Sequence, residues 1–156
     1  MDKTLTTKSS ITIDAPATLV WSAIIDPSTI RNFMMGMQAV SSWKVGEELR
    51  WLGRHEEKPE DNAKGTIIKM EPGKQLSYTF YYPGYGYADQ PEFYNLVNYD
   101  LEAIGDKTRI TVQQGDFSVF EQGETFVQHS QQFWDQVLIN LKELLEKQPS
   151  GKDDRL

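Results

Sequence analysis

The chain of 156 residues contains no cysteine, and this absence excludes a disulfide framework, thiol catalysis and thiolate metal sites. Its two histidines, His55 and His129, have no further histidine or thiolate at the spacing of a metal site. The motifs Gly-x-Ser-x-Gly and His-Glu-x-x-His and a Gly-rich phosphate-binding loop are also missing. We therefore predict no metal and no cofactor. With no recognised catalytic motif, enzyme activity is left open but disfavoured.

Long apolar runs and basic tracts are missing as well. No apolar segment approaches the roughly 18–20 residues that cross a bilayer, and residues 1–10 are too polar for the apolar part of a signal peptide. The chain carries 16 Lys+Arg against 23 Asp+Glu, a formal charge of −7, with no dense basic tract to bind phosphates. We expect a cytoplasmic protein that binds no nucleic acid and does not insert into membranes.

Apolar residues are present along the whole length of the chain. Hydrophobic residues make up 38% of it and aromatic residues 12%, which argues against a disordered protein or a fibrous repeat. A chain of this size buries roughly 70% of its unfolded surface, enough for one sizeable core. We predict one domain over residues 1–148 and a flexible charged tail over residues 149–156.

Side-chain periodicity and turn residues predict a strand, two short helices, six strands and a long helix. The first strand is Leu5–Ile13, the first helix follows Asp14-Ala15-Pro16, and the second helix covers Ser28–Phe33. Apolar residues at helical spacing predict an amphipathic helix over Glu121–Lys147. The six strands, an antiparallel meander, are predicted at Ala39–Trp43, Glu48–Leu52, Gly65–Glu71, Gln75–Tyr82, Phe93–Glu102 and Thr108–Phe117.

This order of elements resembles the helix-grip fold of the START-like (SRPBCC) superfamily, which includes birch-pollen allergen proteins, lipid-transfer domains and polyketide cyclases. Ile13-Asp14-Ala15-Pro16 followed by Val20-Trp21 is similar to the start of the first helix in the Activator of Heat Shock Protein 90 ATPase homologue-like subfamily. Further similar segments run to roughly residue 147 and include Gly65-Thr66-Ile67, Leu76-Ser77-Tyr78-Thr79-Phe80, Tyr99-Asp100-Leu101-Glu102, Thr108-Arg109-Ile110-Thr111-Val112 and Trp134. The subfamily usually has a glycine where this chain has Phe133, a ring that would narrow or reshape a cavity.

The resemblance implies an α+β helix-grip fold. In that fold a curved antiparallel sheet of six to seven strands wraps around a long C-terminal helix, and two short helices follow the first strand. Such a domain encloses a space between the sheet and the helix, and the side chains that line this space decide what it holds.

Strand alternation predicts which aromatic side chains line that space. On Gln75–Tyr82 and on Phe93–Glu102, alternate positions place an aromatic-rich set on one face, which we interpret as the inner face. Trp51 joins this set from an earlier strand, and Phe126 and Phe133 join it from the long helix. For any single ring, simple filling of the core is the better interpretation.

Two amides on the same inner faces favour a binding site over a solid core. Asn95 and Gln114 are predicted to point inward, where an unpaired amide costs roughly 1–3 kcal/mol and so requires a neighbour, a water or a ligand. The segment Tyr82–Ala88 is rich in tyrosine and glycine and is interpreted as a lid or as ordinary hairpin packing. The predicted cavity is lined by Trp51, Phe80, Tyr82, Phe93, Asn95, Tyr99, Gln114, Phe126 and Phe133.

These features favour a module that binds a small apolar or aromatic molecule. The alternative is a polyketide cyclase- or hydratase-type enzyme that uses the same cavity, although the sequence shows no acid–base pair. A co-chaperone-like interaction protein ranks last, because the sequence lacks the separate N-terminal domain and the Asn/Trp/His-rich N-terminal motif of true activators. A homodimer is compatible with the sequence, and the identity of the ligand is not encoded in it.

Overall fold

The computed structural model describes residues 5–52 and 63–147. Within these ranges the chain forms seven strands and three α-helices, and two short 3-10 turns at Pro83–Tyr85 and Pro91–Phe93 separate the fifth strand from the sixth. The elements are β1 (Thr7–Ile13), α1 (Ala17–Ile24), α2 (Pro27–Phe33), β2 (Gln38–Ser41), β3 (Glu48–Leu52), β4 (Ala63–Glu71), β5 (Gln75–Phe80), β6 (Asn95–Ile104), β7 (Lys107–Gly115) and α3 (Gly123–Glu146). Residues 53–62, which include His55, and the predicted tail lie outside the described residues.

The strands form one sheet in the order β1-β7-β6-β5-β4-β3-β2. Every neighbouring pair is antiparallel, so β2 to β7 form a meander and β1 pairs with β7 at its far side. The long helix α3 packs against this sheet, and α1 and α2 connect β1 to β2. The predicted α+β helix-grip fold is confirmed, with seven strands.

Local sequence signals explain the two short helices. Pro16 precedes α1 in an extended conformation, which suits a residue at a helix start because proline lacks the N–H that would stay unpaired there. At α2, the Asp26 side chain accepts a hydrogen bond from the backbone N–H of Ser28 at 3.1 Å, and Pro27 is the first helical residue. α1 starts directly after the predicted Asp14-Ala15-Pro16 signal, and α2 starts at Pro27, one residue before the predicted Ser28.

The middle of the sheet contains one close approach that only glycine permits. A Cβ at Gly65 on β4 would overlap the carbonyl oxygen of Thr79 on the neighbouring strand. Beyond this point the pairing of β4 with β5 shifts register between Ile67 and Lys69. Such bulges increase the local twist of a sheet.

Several predicted strand ends are wrong: for example, β1 begins at Thr7 rather than Leu5, and β7 ends at Gly115 rather than Phe117. β2 stops at Ser41 because Trp43 has a φ of +59°, a left-handed conformation that cannot continue a strand. The regular pairing of β5 with β6 ends at Phe80 opposite Asn95. Tyr81 pairs with Lys64 in an isolated bridge and is 7% exposed, whereas Tyr82 is 36% exposed, so the predicted inward position of Tyr82 belongs to Tyr81.

The C-terminal half of α3 supplies the main apolar contact with the sheet. Its buried residues recur at helical spacing and include Val137, Leu138, Leu141 and Leu145. They belong to a single core cluster with Ile13, Val20 and other residues of β1, α1 and α2. The apolar seam between helix and sheet therefore lies along this half of the helix.

The polar face of α3 bonds to the backbone of β1. Gln131 accepts a hydrogen bond from the backbone N–H of Lys8 at 3.1 Å and donates one to the carbonyl oxygen of Lys8 at 3.0 Å. Further along, Lys142 donates to the carbonyl oxygen of Thr12 at 2.9 Å, and the Glu146 carboxylate accepts from the N–H of Asp14 at 2.8 Å. Both faces of the helix are thus tied to the same sheet.

Replacing Leu141 by Ala should lower the free energy of unfolding by about 2–5 kcal/mol, because it removes a fully buried side chain and leaves a cavity. Ile139 on the same helix is the matched control, since it is 44% exposed against 1% for Leu141. Ile139→Ala should change stability by less than about 0.5 kcal/mol. Urea unfolding of both variants measures the difference, and equal effects would show that this face of α3 is not core.

Candidate ligand-binding site

A row of four aromatic side chains runs across the inner face of the sheet to the helix. Trp51 on β3 lies 5.9 Å from Tyr78 on β5, measured between ring centroids, and Tyr78 lies 5.9 Å from Tyr99 on β6. The Tyr99 ring meets Trp134 of α3 edge-on at 5.7 Å. These four rings are buried, and they form a wall of polarisable surface with hydroxyl and indole groups in it.

The two tyrosines in the row share a hydrogen bond. The hydroxyl oxygens of Tyr78 and Tyr99 are 3.2 Å apart and buried. Burial raises the pKa of Tyr78 well above its usual value, and burial also raises the pKa of Tyr99. Both phenols therefore stay protonated at neutral pH. Their shared bond uses one hydroxyl hydrogen and leaves the other to a further acceptor.

Gln114 on β7 is the centre of a buried polar cluster. Its Oε1 accepts hydrogen bonds from the Trp134 indole Nε1 at 2.8 Å and from the Ser130 hydroxyl at 2.9 Å. Its Nε2 donates to Asn95 Oδ1 at 3.1 Å, and its backbone N–H donates to Thr7 Oγ1 at 3.2 Å. The cluster joins β1, β6 and β7 to α3.

Some interior donors have no acceptor in the described part of the chain. Nε1 of Trp51 and Nε1 of Trp43 are buried and unpaired there. Asn95 Oδ1 accepts from Gln114 Nε2, and Asn95 Nδ2 makes no hydrogen bond to another described residue, although it is not fully enclosed as the two indole nitrogens are. A buried unpaired donor costs about 1–3 kcal/mol, so these positions are where a bound molecule would be stabilised.

A second aromatic cluster lies beside the N-terminal part of α3. Tyr85 stacks on Phe126 with ring centroids 4.2 Å apart and an interplanar angle of 14°, and it also packs against Phe120 at 5.3 Å. Tyr87 packs against Phe93 at 4.7 Å and Phe120 at 4.9 Å. Burial raises the pKa of Tyr85 to about 12. The Tyr82–Ala88 segment is therefore held against the helix by ring contacts.

Hydrogen bonds fix the C-terminal end of the same segment and the residues that follow it. The Tyr87 hydroxyl accepts from the backbone N–H of Glu121 at 2.9 Å, and the Tyr81 hydroxyl donates to the carbonyl oxygen of Tyr87 at 2.6 Å. Asp89 pairs with Lys64 at 2.7 Å and accepts from the Tyr94 hydroxyl at 2.6 Å. The hydrogen bond from Lys64, followed by that from Tyr94, lowers the pKa of Asp89, so the pair stays ionised.

The structure separates the predicted lining residues into three groups. Trp51, Asn95, Tyr99 and Gln114 are buried in the interior, with Phe80 and Phe133 half-buried against the core. Phe93 and Phe126 belong to the second cluster, and Phe93 lies in a 3-10 turn rather than in β6. Tyr82 is exposed and contacts Tyr85 edge-on at 5.2 Å.

Several residues of the site were absent from the predicted lining. Tyr78, Ser130 and Trp134 belong to the interior, and the alternation of β5 and the spacing of α3 already pointed to them. Tyr85 and Phe120 of the second cluster lie in irregular segments, where no periodicity marks the buried side. His129 is exposed on α3 and does not line the interior.

Two surface grooves lie away from the predicted lining residues. Two grooves of about 500 and 330 Å³ lie near the β4–β5 turn and beside Gln128 of α3, and no predicted lining residue borders either. No group of three or more metal-ligating side chains occurs in the described part of the chain. In the same part, no helix is long and apolar enough to span a membrane.

Comparison with known proteins places these features in context. The family described as Activator of Hsp90 ATPase homolog 1-like protein matches residues 14–146. None of the curated proteins matches the sequence. The solution structure of ChR145 from Cytophaga hutchinsonii is 31% identical, with a TM-score of 0.77, and the match covers 97% of this chain and 100% of that one.

Two more distant structures share the fold. The Aha1 dimer from Colwellia psychrerythraea is 16% identical with a TM-score of 0.72, over 94% of this chain and 98% of that chain. An HSP90 activator from Plasmodium falciparum is 14% identical with a TM-score of 0.71, over 90% of this chain and 96% of that chain. At these identities the likeness establishes the fold alone.

Replacing Gln114 by Leu should lower the free energy of unfolding by about 1–3 kcal/mol, because the Trp134 N–H, the Ser130 hydroxyl and the Asn95 oxygen lose their partner in a buried site. Gln113→Leu is the control, since the neighbouring side chain points to the other face of the same strand. It should change stability by less than about 0.5 kcal/mol. Chemical denaturation of the two variants decides whether the cluster stabilises the fold.

Alkaline pH should unfold the protein in step with its buried tyrosines. The folded-state pKa of Tyr85 is about 12, against about 10 in an unfolded chain. The stability that goes with the neutral ring is fully present below about pH 10 and falls as the pH rises toward the folded-state value. Tyrosinate absorbance and circular dichroism, recorded together, should show late ionisation that coincides with unfolding. Tyr85→Phe should remove one late-ionising tyrosine, and an unchanged late phase would contradict this.

Proposed function

The chain belongs to the Activator of Hsp90 ATPase homolog 1-like family, and from this membership and its interior we propose that it binds a small, largely apolar, aromatic molecule. In the described residues, that interior holds unpaired hydrogen-bond donors beside an aromatic wall. The ligand lies between the sheet and the N-terminal half of α3. The observation that carries the proposal is Trp51 Nε1, which is buried next to the Tyr78 ring and has no acceptor among the described residues. A protein core that served packing alone would gain stability by pairing or removing that group.

Side-chain chemistry supports an aromatic ligand. Trp51, Tyr78 and Tyr99 offer ring faces and edges, and stacked or edge-on aromatic pairs are worth about 0.5–1.5 kcal/mol beyond their buried area. A few convergent polar groups in an apolar lining are typical of small-molecule sites. Buried Asn95 and the tyrosine hydroxyls supply such groups here. The net charge of the chain does not bear on the choice of ligand, because the buried polar residues of the described part are uncharged.

The Tyr82–Ala88 segment is the proposed entrance. It is held to α3 by the contact of Tyr85 with Phe126, and to the residues before α3 by the contact of Tyr87 with Phe120 and the hydrogen bond from the Glu121 N–H to the Tyr87 hydroxyl. These few contacts can reform after displacement. Glycines at positions 84 and 86 lie inside it, and Gly86 has a φ of +88°. This conformational freedom lets the segment swing away without breaking the sheet.

A cyclase- or hydratase-type enzyme that uses the same cavity is the second candidate. The observation that favours it is the buried Tyr78–Tyr99 hydroxyl pair, since a phenol kept neutral by burial can donate a proton or a hydrogen bond to a carbonyl. Turnover that is lost in Tyr99→Phe while ligand binding is retained would support catalysis.

Association with other proteins is a separate proposal. A homodimer follows the example of the Colwellia relative, and sedimentation of the purified chain tests it. A co-chaperone role follows the name of the Plasmodium relative. Co-purification with a chaperone would support this role.

A neutral fluorophore such as N-phenyl-1-naphthylamine should bind with a Kd in the micromolar range, near −8 kcal/mol. Phe133→Ala should change that affinity without unfolding the protein, because Phe133 is half-buried and packs on Trp134 at 5.2 Å. Leu19→Ala, on α1 and 41% exposed, is the control and should leave affinity unchanged. Fluorescence titration measures both. Failure of a panel of aromatic and lipid-like compounds to bind would mean that the rings are only a core.

A further inference from the structure

We propose that the ligand presents a neutral hydrogen-bond acceptor, a carbonyl oxygen on a flat aromatic body, to Asn95 Nδ2, and that Asn95 determines this specificity. The inference rests on the proposed binding function and names its ligand class. It follows from the direction in which hydrogen bonds run through the buried polar cluster.

The direction is set by a group that cannot reverse its role. The Trp134 indole N–H is a donor only, and it lies 2.8 Å from one end of the Gln114 amide. That end must therefore be the oxygen, because two donors would repel each other. The other end, Nε2, faces Asn95 at 3.1 Å. Since Nε2 donates, Asn95 must turn its oxygen toward Gln114.

The remaining end of Asn95 is then a donor. Its Nδ2 carries two hydrogens, and no acceptor for them occurs among the described residues. Asn95 is 7% exposed and sits opposite Phe80 in the β5–β6 pairing. A ligand atom that meets this nitrogen gains stability if it accepts a hydrogen bond and loses it if it donates one.

Other polar groups in the described interior also offer hydrogen-bond donors rather than acceptors. Trp51 Nε1 is a buried donor without an acceptor, and the Tyr78–Tyr99 pair leaves one hydroxyl hydrogen over. No lysine or arginine is buried in the described part of the chain. A carboxylate ligand would therefore enter without a counterion, at a high desolvation cost. The chemistry favours a ketone, quinone or similar neutral carbonyl.

Three tricyclic probes of the same shape test the polarity. Fluorenone carries a carbonyl acceptor, carbazole carries an N–H donor at the equivalent position, and fluorene carries neither. Calorimetric titration of the wild type should show fluorenone binding at least about tenfold more tightly than carbazole, a ratio that corresponds to about 1.4 kcal/mol. Tighter binding of carbazole than fluorenone would overturn the inference.

Two substitutions should reverse the preference. Asn95→Asp keeps an oxygen for Gln114 Nε2 and, when ionised, presents its second oxygen in place of the nitrogen. Gln114→Glu keeps one oxygen that accepts from Trp134 and Ser130. Its second oxygen, when ionised, accepts a hydrogen bond from Asn95 Nδ2, so Asn95 turns over and presents its Oδ1 to the ligand. Each variant should weaken fluorenone and strengthen carbazole by about tenfold, with fluorene changed less than about threefold. Burial without a counterion raises the pKa of a carboxyl group, so titrations from about pH 6 to about pH 9 should show the reversal only as the new carboxyl group ionises.

Two further variants serve as controls. Gln113→Glu adds the same charge on the other face of β7 and should leave the order of the three probes unchanged. Asn95→Leu removes the donor without adding a charge and should reduce fluorenone to the affinity of fluorene, which tests the inference even if a carboxylate variant fails to fold. Circular dichroism and thermal melts establish that each variant is folded.

The outcomes separate the two levels of the proposal. If none of the three probes binds the wild type, the proposed binding function itself fails. If all three bind with equal affinity and folded Asn95 variants do not change their order, the cavity exists but Asn95 does not select the ligand, and this inference is wrong.

Discussion

The hydrogen bond between the Trp134 indole and Gln114 is the contact on which the arrangement of helix and sheet depends. Apolar burial holds α3 against the sheet through Leu138, Leu141 and Leu145, but burial is non-directional and tolerates rotation of a helix about its axis. A donor that must meet an acceptor at 2.8 Å tolerates little rotation. Ser130, one turn before Trp134, bonds to the same oxygen at 2.9 Å. The two contacts therefore fix which face of α3 looks into the interior.

The order of elements and part of the site could be predicted from the sequence. The alternation of β6 and β7 correctly placed Asn95, Tyr99 and Gln114 on the inner face, because these strands are regularly paired over most of their length. Tyr82 and Phe93 were placed wrongly, because the hydrogen-bonded pairing of β5 with β6 ends at Phe80 opposite Asn95. Beyond this pair, side chains no longer alternate between the two faces of the sheet. What limited the prediction was the end of regular hydrogen bonding, which depends on contacts distant in sequence.

The sequence could not predict which side chains bond to or pack against one another. Strand alternation predicted that Asn95 and Gln114 are both buried. Which of the two amides donates the hydrogen bond to the other depends on Trp134, which lies on α3, 20 residues after Gln114. Likewise, the packing of Tyr85 on Phe126 joins two segments with no shared pattern. The two halves of α3 consequently differ: aliphatic burial holds the C-terminal half, and ring contacts with an irregular segment hold the N-terminal half. Segments held by few regular hydrogen bonds open more easily than core elements.

The attachment of α3 to β1 has a consequence for the behaviour of the protein at high concentration. β1 is an outer strand of the sheet, and the free backbone of an outer strand ordinarily recruits strands of other molecules and leads to aggregation. Here Gln131 mimics a neighbouring strand by bonding to both the N–H and the carbonyl of Lys8, and Lys142 and Glu146 continue the coverage. A foreign strand could reach this edge only after the helix had lifted and Leu141 and Trp134 had been exposed to water. Resistance to this route of self-association is thus governed by the free energy that holds the core together.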